Sequence, residues 1–244
     1  MINRLCEIIK NSKNIVFLGG AGVSVESGIP DFRSSNGIYS EKSEIPAEVI
    51  LSHNFFYQNT KEFYEFYKNK MIYLNALPND CHKTLAYLEE IGKLKAIVTQ
   101  NIDNLHTLAG SKNVFEIHGS VMRNHCLKCN KFYDVNYIME YNGIPKCECG
   151  GIIKPDVVLY DENLDRKMII NSIDAISNCD TLIIGGTSLT VYPAAGFVEY
   201  FNGKNLVIIN KSISSLDNRA SLVINDDIGK VFKEVYEKIK LDNK

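Results

Sequence analysis

The chain has 244 residues, 45% of them hydrophobic and 23% charged, with a formal net charge of −2. That length supports one large core, or a main domain with a smaller one attached, and the composition is that of a soluble globular protein. The near-neutral balance excludes a general attraction to nucleic acid or to an anionic membrane surface, and no apolar run approaches the roughly 20 residues that span a bilayer.

The N-terminal stretch MINRLCEIIKNSKN spaces Ile2, Leu5, Ile8 and Ile9 as a helix does and breaks them with charges, so it reads as a helix and not as a signal peptide. A cytoplasmic location is expected, and there seven cysteines favour metal ligation over a disulfide framework. Apolar runs at 14–20, 95–101, 114–119, 156–160, 181–188, 206–210 and 221–225 read as short strands. Most are continuous rather than alternating, which predicts strands covered on both faces. Helical patterns at 79–92, 165–178, 192–201 and 227–240 lie between several of them. Such alternation predicts an α/β fold, a parallel sheet with helices on both faces. Two segments break the rhythm: 38–77 is polar and aromatic, and 122–155 carries four clustered cysteines and few long apolar runs. Both read as insertions forming a smaller domain, which leaves 1–37, 78–121 and 156–244 to the main one.

CLKC at 126–129 is followed, after seventeen residues, by CEC at 147–149. Cys126, Cys129, Cys147 and Cys149 match a four-cysteine zinc ribbon, where each pair sits on a tight turn and the ion closes a tetrahedron. The one-residue spacing of the second pair is short, and Gly150 with Gly151 gives the backbone freedom to fold both sulfurs inward. Four protein ligands leave no open position, so one structural Zn2+ is expected, supplying stability to a segment with little core of its own. His125 is an alternative ligand. Cys6, Cys81 and Cys179 stand in apolar contexts and read as core residues.

FLGGAGVSVESGIPDFR at 17–33 runs from a strand into Gly19, Gly20, Ala21 and Gly22, with a helix expected next. The small residues either let the backbone approach a pyrophosphate at a helix N-terminus or simply make a tight turn; the third glycine of the dinucleotide fingerprint is missing. TQNIDNLHTLAG at 99–110 puts Gln100, Asn101 and Asp103 at a strand's carboxyl end, where doubly wound sheets present their ligands. FEIHGS at 115–120 ends another strand on His118, and GGTSLTVYPAA at 185–195 offers hydroxyls and amides to a phosphate or ribose.

GAGVSVESGIPDFR, TQNIDNLH, IHGS, the split cysteine pairs, KPDVVLYDENL and GTSLTVYPAA occur here in the order seen in the sirtuins, the NAD-dependent protein-lysine deacylases. The chain resembles that family from about residue 12 to 235. The resemblance implies a Rossmann-like, doubly wound domain plus a small domain built from a helical insertion and a zinc-binding insertion. It implies NAD as co-substrate, acyl-lysine proteins or peptides as partners, and nicotinamide, O-acyl-ADP-ribose and free lysine as products. It makes His118 the general base, a task for which the ordinary histidine pKa is nearly suited. Asn101 would orient ribose and water, and Asp103 with Ile102 would receive the nicotinamide carboxamide. Gln100 would contact ribose, Phe32 would cover the reactive ribose face, and Arg33 would meet the phosphates. Gly20, Ala21, Gly22, Val25, Thr187, Ser188, Asn210 and Ile228 would complete the NAD site, Val25 without the side-chain hydrogen bond that some relatives make there. Val158, Leu159 and Tyr160 would pair with an extended substrate.

Departures bear on the substrate. Asn104 stands for a common glycine, and Asp161 precedes Glu162 where a glycine is usual, which leaves the substrate-loop geometry open. Tyr67 and Lys70 stand where relatives that remove acidic acyl groups carry a Tyr-x-x-Arg pair. Lysine lacks the bidentate fork, so Tyr67 is expected to pack, Lys70 to be solvated, and an uncharged acyl group to be preferred along a channel lined by the rings of 55–73. The alternatives are an ADP-ribosyltransferase or NAD glycohydrolase on the same scaffold, and a non-catalytic zinc ribbon binding nucleic acid. The intact His118 and substrate strand argue against the first, and the lack of a basic stripe against the second. A monomer with no membrane contact is expected.

Overall fold

The computed structural model describes residues 1–35, 37–40, 44–190, 192, 194–214 and 216–242. Helix α1 (Ile2–Asn11) turns Leu5, Cys6 and Ile9 inward and delivers the chain to β1 (Ile15–Gly19), every residue of which is buried. Three short helices follow: α2 (Ala47–Ile50), α3 (His53–Gln58) and α4 (Thr60–Lys70). Next come α5 (Asp80–Glu90), β2 (Leu94–Thr99), α6 (Leu105–Leu108) and β3 (Val114–Glu116). The cysteine-bearing segment forms β4 (Arg123–Cys126), β5 (Phe132–Asp134), α7 (Val135–Glu140) and β6 (Ile153–Pro155). The chain ends through α8 (Arg166–Ser177), β7 (Thr181–Gly185), β8 (Asn205–Ile209), β9 (Leu222–Ile224) and α9 (Ile228–Asp242).

The large sheet has the order β3-β2-β1-β7-β8-β9, with every neighbouring pair parallel. Parallel neighbours need crossovers, and the helices that supply them cover both faces. Ile15 and Phe17 face a core shared with Leu85 of α5 and Phe232 of α9, while Val16 and Leu18 face one shared with Ile176 of α8 and Phe197. That is why the strand runs are continuously apolar. The strand order reverses between β1 and β7, and a crevice opens at their carboxyl ends.

In the smaller domain β4 pairs antiparallel with β5 and β6. Its core is shared between the two insertions: Phe56, Phe63, Tyr64 and Tyr67 pack with Cys126, Val135, Ile138 and Ile153. Phe56 and Phe63 meet edge to face at 4.9 Å, and Phe63 stacks on Tyr67 at 5.4 Å. The fold is therefore α/β, a doubly wound parallel sheet carrying a small domain of helical and cysteine-bearing insertions.

Several local expectations are revised. Residues 156–160 form no sheet strand; a single bridge joins Tyr160 to Ser52. Neighbouring turns hold this segment instead, since Val158 N–H donates to His118 O and Tyr160 N–H to Leu51 O, both at 2.9 Å. The glycine turn leads into two 3-10 turns, Ala21–Val23 and Val25–Ser27, and not into an α-helix, because Gly28 takes a left-handed φ of 86° and ends the run. The helix read at 192–201 is a 3-10 helix, Ala194–Tyr200. The strand read at 114–119 stops at Glu116, since Gly119 turns the chain at φ 78°. Val191 and Pro193 of GTSLTVYPAA lie outside the described residues. Among the described residues no helix is long and apolar enough to cross a membrane.

Candidate active site and metal centre

The carboxyl ends of the central strands open onto a cleft of about 930 Å³. Ala21, Gly22, Val25, Phe32 and Arg33 line it after β1, Gln100, Asn101, Ile102 and Asp103 after β2, and His118 after β3. Thr187 and Ser188 join them after β7, Asn210 after β8 and Ile228 at the start of α9; Val158, Leu159 and Tyr160 complete the lining. Gly20 stands behind these residues. Its N–H donates to Gly185 O at 3.2 Å, and that of Gly22 to Gly186 O at 2.8 Å. These two amides tie the turn after β1 to the end of β7.

His118 donates Nδ1–H to the Gln100 carbonyl at 3.0 Å. A carbonyl only accepts, so the bond fixes the tautomer and leaves Nε2 bare. Burial lowers the His118 pKa below its ordinary value, against the opposing pull of Gln100. Burial thus favours the neutral imidazole. Only glycine fits beside it: a side chain on Gly119 would meet Asp156 O at 1.7 Å. That close approach lets segment 156–160 run against the histidine turn.

Around this histidine the strand ends are cross-tied. Asn101 Nδ2 donates to Ser24 Oγ at 3.0 Å, and Ser24 Oγ donates to Asp103 Oδ2 at 2.6 Å. Burial raises the Asp103 pKa, and the hydrogen bonds from Ser24, Leu105 and Asn101 oppose that rise. Gln100 Nε2 donates to Thr187 Oγ1 at 3.2 Å. Thr187 and Asn210 exchange a reciprocal pair, Thr187 N–H to Asn210 Oδ1 at 3.1 Å and Asn210 Nδ2 to Thr187 O at 2.9 Å. Side chains from the ends of β2, β7 and β8 are thus tied to one another.

The Sγ atoms of Cys126, Cys129, Cys147 and Cys149 lie within 4.8 Å of one another. The closest pairs, Cys126–Cys149, Cys129–Cys147 and Cys129–Cys149, are 3.5 Å apart. A disulfide requires about 2 Å. Zn–S bonds of about 2.3 Å in a tetrahedron place sulfurs roughly 3.8 Å apart, so the donor set and its spacing fit Zn2+. The short CEC pair reaches the cluster because Gly150 turns at φ 80° and bonds back to Cys147 O at 2.8 Å. His125 is not in the cluster; its Nδ1 pairs with Asp156 Oδ1 at 2.7 Å. Cys6, Cys81 and Cys179 are buried in the two cores of the large sheet.

The model of the Sir2 family matches residues 20–193. The chain belongs to the Sir2 family. It is 64% identical over 240 residues to a Clostridium perfringens protein named NAD-dependent protein deacetylase, a match covering 97% of this chain and 98% of the relative. A Clostridium acetobutylicum protein of the same name is 59% identical over 238 residues, covering 96% and 97%. Among solved structures, the chain is similar to a Sir2 protein with a deacetylated p53 peptide and 3'-O-acetyl ADP ribose, with a TM-score of 0.90, 38% identity and coverage of 97% and 98%. A Sir2 protein with p53 peptide and NAD+ gives a TM-score of 0.87 at 37% identity, covering 99% of each chain.

In this Sir2 chain the departures have local explanations. Asn104 and Asp161 both take left-handed φ, 66° and 68°. Asn and Asp are the side chains that best tolerate that region, so both turns persist without glycine. Glu162 then locks the second turn, accepting from Leu159 N–H and Lys154 Nζ, each at 3.0 Å, and pairing with His53 Nδ1 at 3.0 Å. Tyr67 is fully enclosed as expected, whereas Lys70 is half-buried and lines the cleft, because it ends α4 one turn beyond the core-facing ring. The expectation of a solvated Lys70 is revised, and so is the aromatic channel. Phe55, Phe56, Phe63, Tyr64 and Tyr67 form core, and Lys70, Met71 and Tyr73 are what that stretch gives the cleft. Sequence reading missed Ser24, buried beside the half-exposed Val25, and Glu26, whose carboxylate accepts from Gly229 N–H at 3.0 Å in the first turn of α9. Both sit inside a quoted motif. Their polarity in a small-residue turn was the available signal.

Proposed function

We propose that this Sir2-family chain is an NAD-dependent protein-lysine deacylase acting on acyl-lysine proteins or peptides. The observation that carries the reading is His118: an imidazole with its tautomer set by Gln100, in the same cleft as a segment, 156–160, that lies outside both sheets. In this reading Val158, Leu159 and Tyr160, whose N–H groups are bonded within the fold, meet the substrate peptide through the Val158 carbonyl and their side chains. The residues after β1, β2, β7 and β8 hold NAD. Asn101, fixed through Ser24, orients ribose and water, while Asp103 and Ile102 receive the nicotinamide amide. Arg33 meets phosphate, Phe32 covers the ribose, and Ile228 lies near the adenine.

NAD supplies the ribose carbon from which nicotinamide departs, and the acyl group ends on that ribose. His118 takes a ribose hydroxyl proton at Nε2, a contribution of about 10²–10⁴ in rate. Burial favours the neutral imidazole, the form that a general base needs. Cys126, Cys129, Cys147 and Cys149 hold one Zn2+ that fastens the small domain and takes no part in the chemistry. We read 1–37, 78–121 and 156–244 as the NAD-binding domain, and 38–77 with 122–155 as the small one.

Mass spectrometry of acyl-lysine peptides incubated with NAD tests the function. The expected products are free lysine, nicotinamide and O-acyl-ADP-ribose in equal amounts. Transfer of ADP-ribose onto the peptide, or NAD hydrolysis with the acyl group retained, would overturn it.

A further inference from the structure

The loop that follows the glycine turn is closed on itself. Asp31 Oδ1 accepts from Arg33 N–H at 3.1 Å and from Ser34 N–H at 2.8 Å. Ile38 N–H returns to Asp31 O at 2.8 Å, and Tyr39 N–H to Phe32 O at 2.9 Å. Tyr39 therefore moves with the two residues read as cofactor contacts. Its ring packs on Phe32 with centroids 5.4 Å apart, and the Arg33 guanidinium lies over it at 5.6 Å.

Tyr160 ends the segment read as the substrate edge. Its backbone is pinned from the small-domain side, Tyr160 N–H to Leu51 O and His53 N–H to Tyr160 O, both at 2.9 Å. Its side chain is 38% exposed at the cleft. The Tyr39 and Tyr160 hydroxyls are hydrogen-bonded to each other across 121 residues of chain. The two rings thus join the loop to the substrate edge. Burial, together with Tyr160, pushes the Tyr39 phenol upward, so it stays protonated.

We propose that the Tyr39–Tyr160 hydroxyl pair is a clasp that couples the cofactor loop to the substrate-pairing segment, so that NAD and peptide bind cooperatively. The inference rests on the deacylase reading and adds a positioning pair to it. A hydrogen bond between two hydroxyls needs both segments in place at once. A ligand that orders one segment therefore lessens the ordering left for the other, which is positive coupling between two sites. One such bond supports a coupling factor of roughly fivefold. Ile38, buried in the small-domain core, seats the loop independently. Removing a hydroxyl while keeping the ring should then leave the fold intact.

The test uses the full chain and three variants: Tyr39→Phe, Tyr160→Phe and the double variant. Calorimetry with a non-cleavable NAD analogue gives the cofactor dissociation constant with and without a saturating acetyl-lysine peptide, and turnover is read separately with NAD itself. In the unsubstituted protein, peptide should tighten analogue binding. Each single variant should cut that coupling roughly fivefold, and the double variant no further. Analogue affinity without peptide, and melting temperature, should stay close to those of the unsubstituted chain. Unchanged coupling in Tyr39→Phe overturns the clasp, as do single effects that add in full. A loss confined to analogue affinity without peptide also overturns it, because that would make Tyr39 a cofactor-site support only. The unsubstituted arm separates the two claims. Turnover with unchanged coupling removes the clasp and leaves the deacylase, whereas a chain without acyl-lysine turnover removes both.

Discussion

The large sheet buries an aliphatic layer on each face, whereas the small domain closes around aromatic rings and four cysteine sulfurs. The four central strands of the first are five or six residues long and pair with parallel neighbours, with three-residue β3 and β9 only at its edges. Those of the second are three or four residues long. Short strands bury too little surface to hold themselves, so rings, and the metal proposed for the four cysteines, would supply what the sheet obtains from area. The division matches the labour at the cleft. His118 and the polar network stand on the self-supporting half, and segment 156–160 leans on the half that needs help, through Leu51 and His53.

That contrast is broken most severely by removing the metal. Structural zinc contributes apparent free energies of about 10–16 kcal/mol in zinc-finger peptides. Metal analysis should find one zinc per chain. Cys147→Ala should abolish it and strip hydrogen-exchange protection from β4–β6 and α7, while β1, β2 and β7 stay protected. Equal loss of protection in both halves would show that they fold as one unit.

The next largest effect belongs to the other half and leaves stability alone. His118→Ala should lower kcat for deacylation by about 10²–10⁴, with NAD affinity close to that of the unsubstituted chain. Failure to bind NAD would instead make His118 a cofactor ligand.

Acid should then single out the large domain. His82 and His106 are enclosed beside Phe17 and Cys81, with their rings 4.6 Å apart. Burial brings the His82 pKa down to about 4 and holds His106 well below its ordinary value. A depressed folded pKa means that the unfolded chain binds more protons between the two values. Stability is therefore complete above about 6.5 and declines as pH falls toward about 4, by roughly 3 kcal/mol for His82 alone. Hydrogen exchange of α5 and β1 as a function of pH measures it; flat protection from pH 7 to 5 would contradict the assignment.

The smallest effect lies where the halves meet. Lys70 is half-buried at the cleft, and partly solvated lysine pairs are worth at most about 1 kcal/mol. Lys70→Ala should change the acetyl-to-succinyl ratio of kcat/KM less than tenfold, with acetyl preferred throughout. A succinyl preference that collapses on this substitution would show that Lys70 reads a distal carboxylate.

Much of this site was legible because its members are close in the chain. Gln100, Asn101 and Asp103 end one strand, His118 ends the next, and the cysteines fall in two tight pairs. Continuous apolar runs declared a sheet covered on both faces before any topology was known. The bonds that cross the site were not legible. Ser24 meets Asp103 over 79 residues, Gln100 meets Thr187 over 87, and Glu26 meets Gly229 over 203.

What the amino-acid sequence determined by itself was periodicity and ligand spacing: the strand runs, the helix faces, the paired cysteines, the histidine after a strand. Burial sorts apolar residues with a repeat that can be read along the chain. Only the tertiary structure decided that DVVLY is held by neighbouring turns and not by the sheet, that the rings of α3 and α4 are core, and that Lys70 reaches the cleft. Each depends on which distant segment lies alongside, and a hydrogen bond between distant segments leaves no period in the sequence.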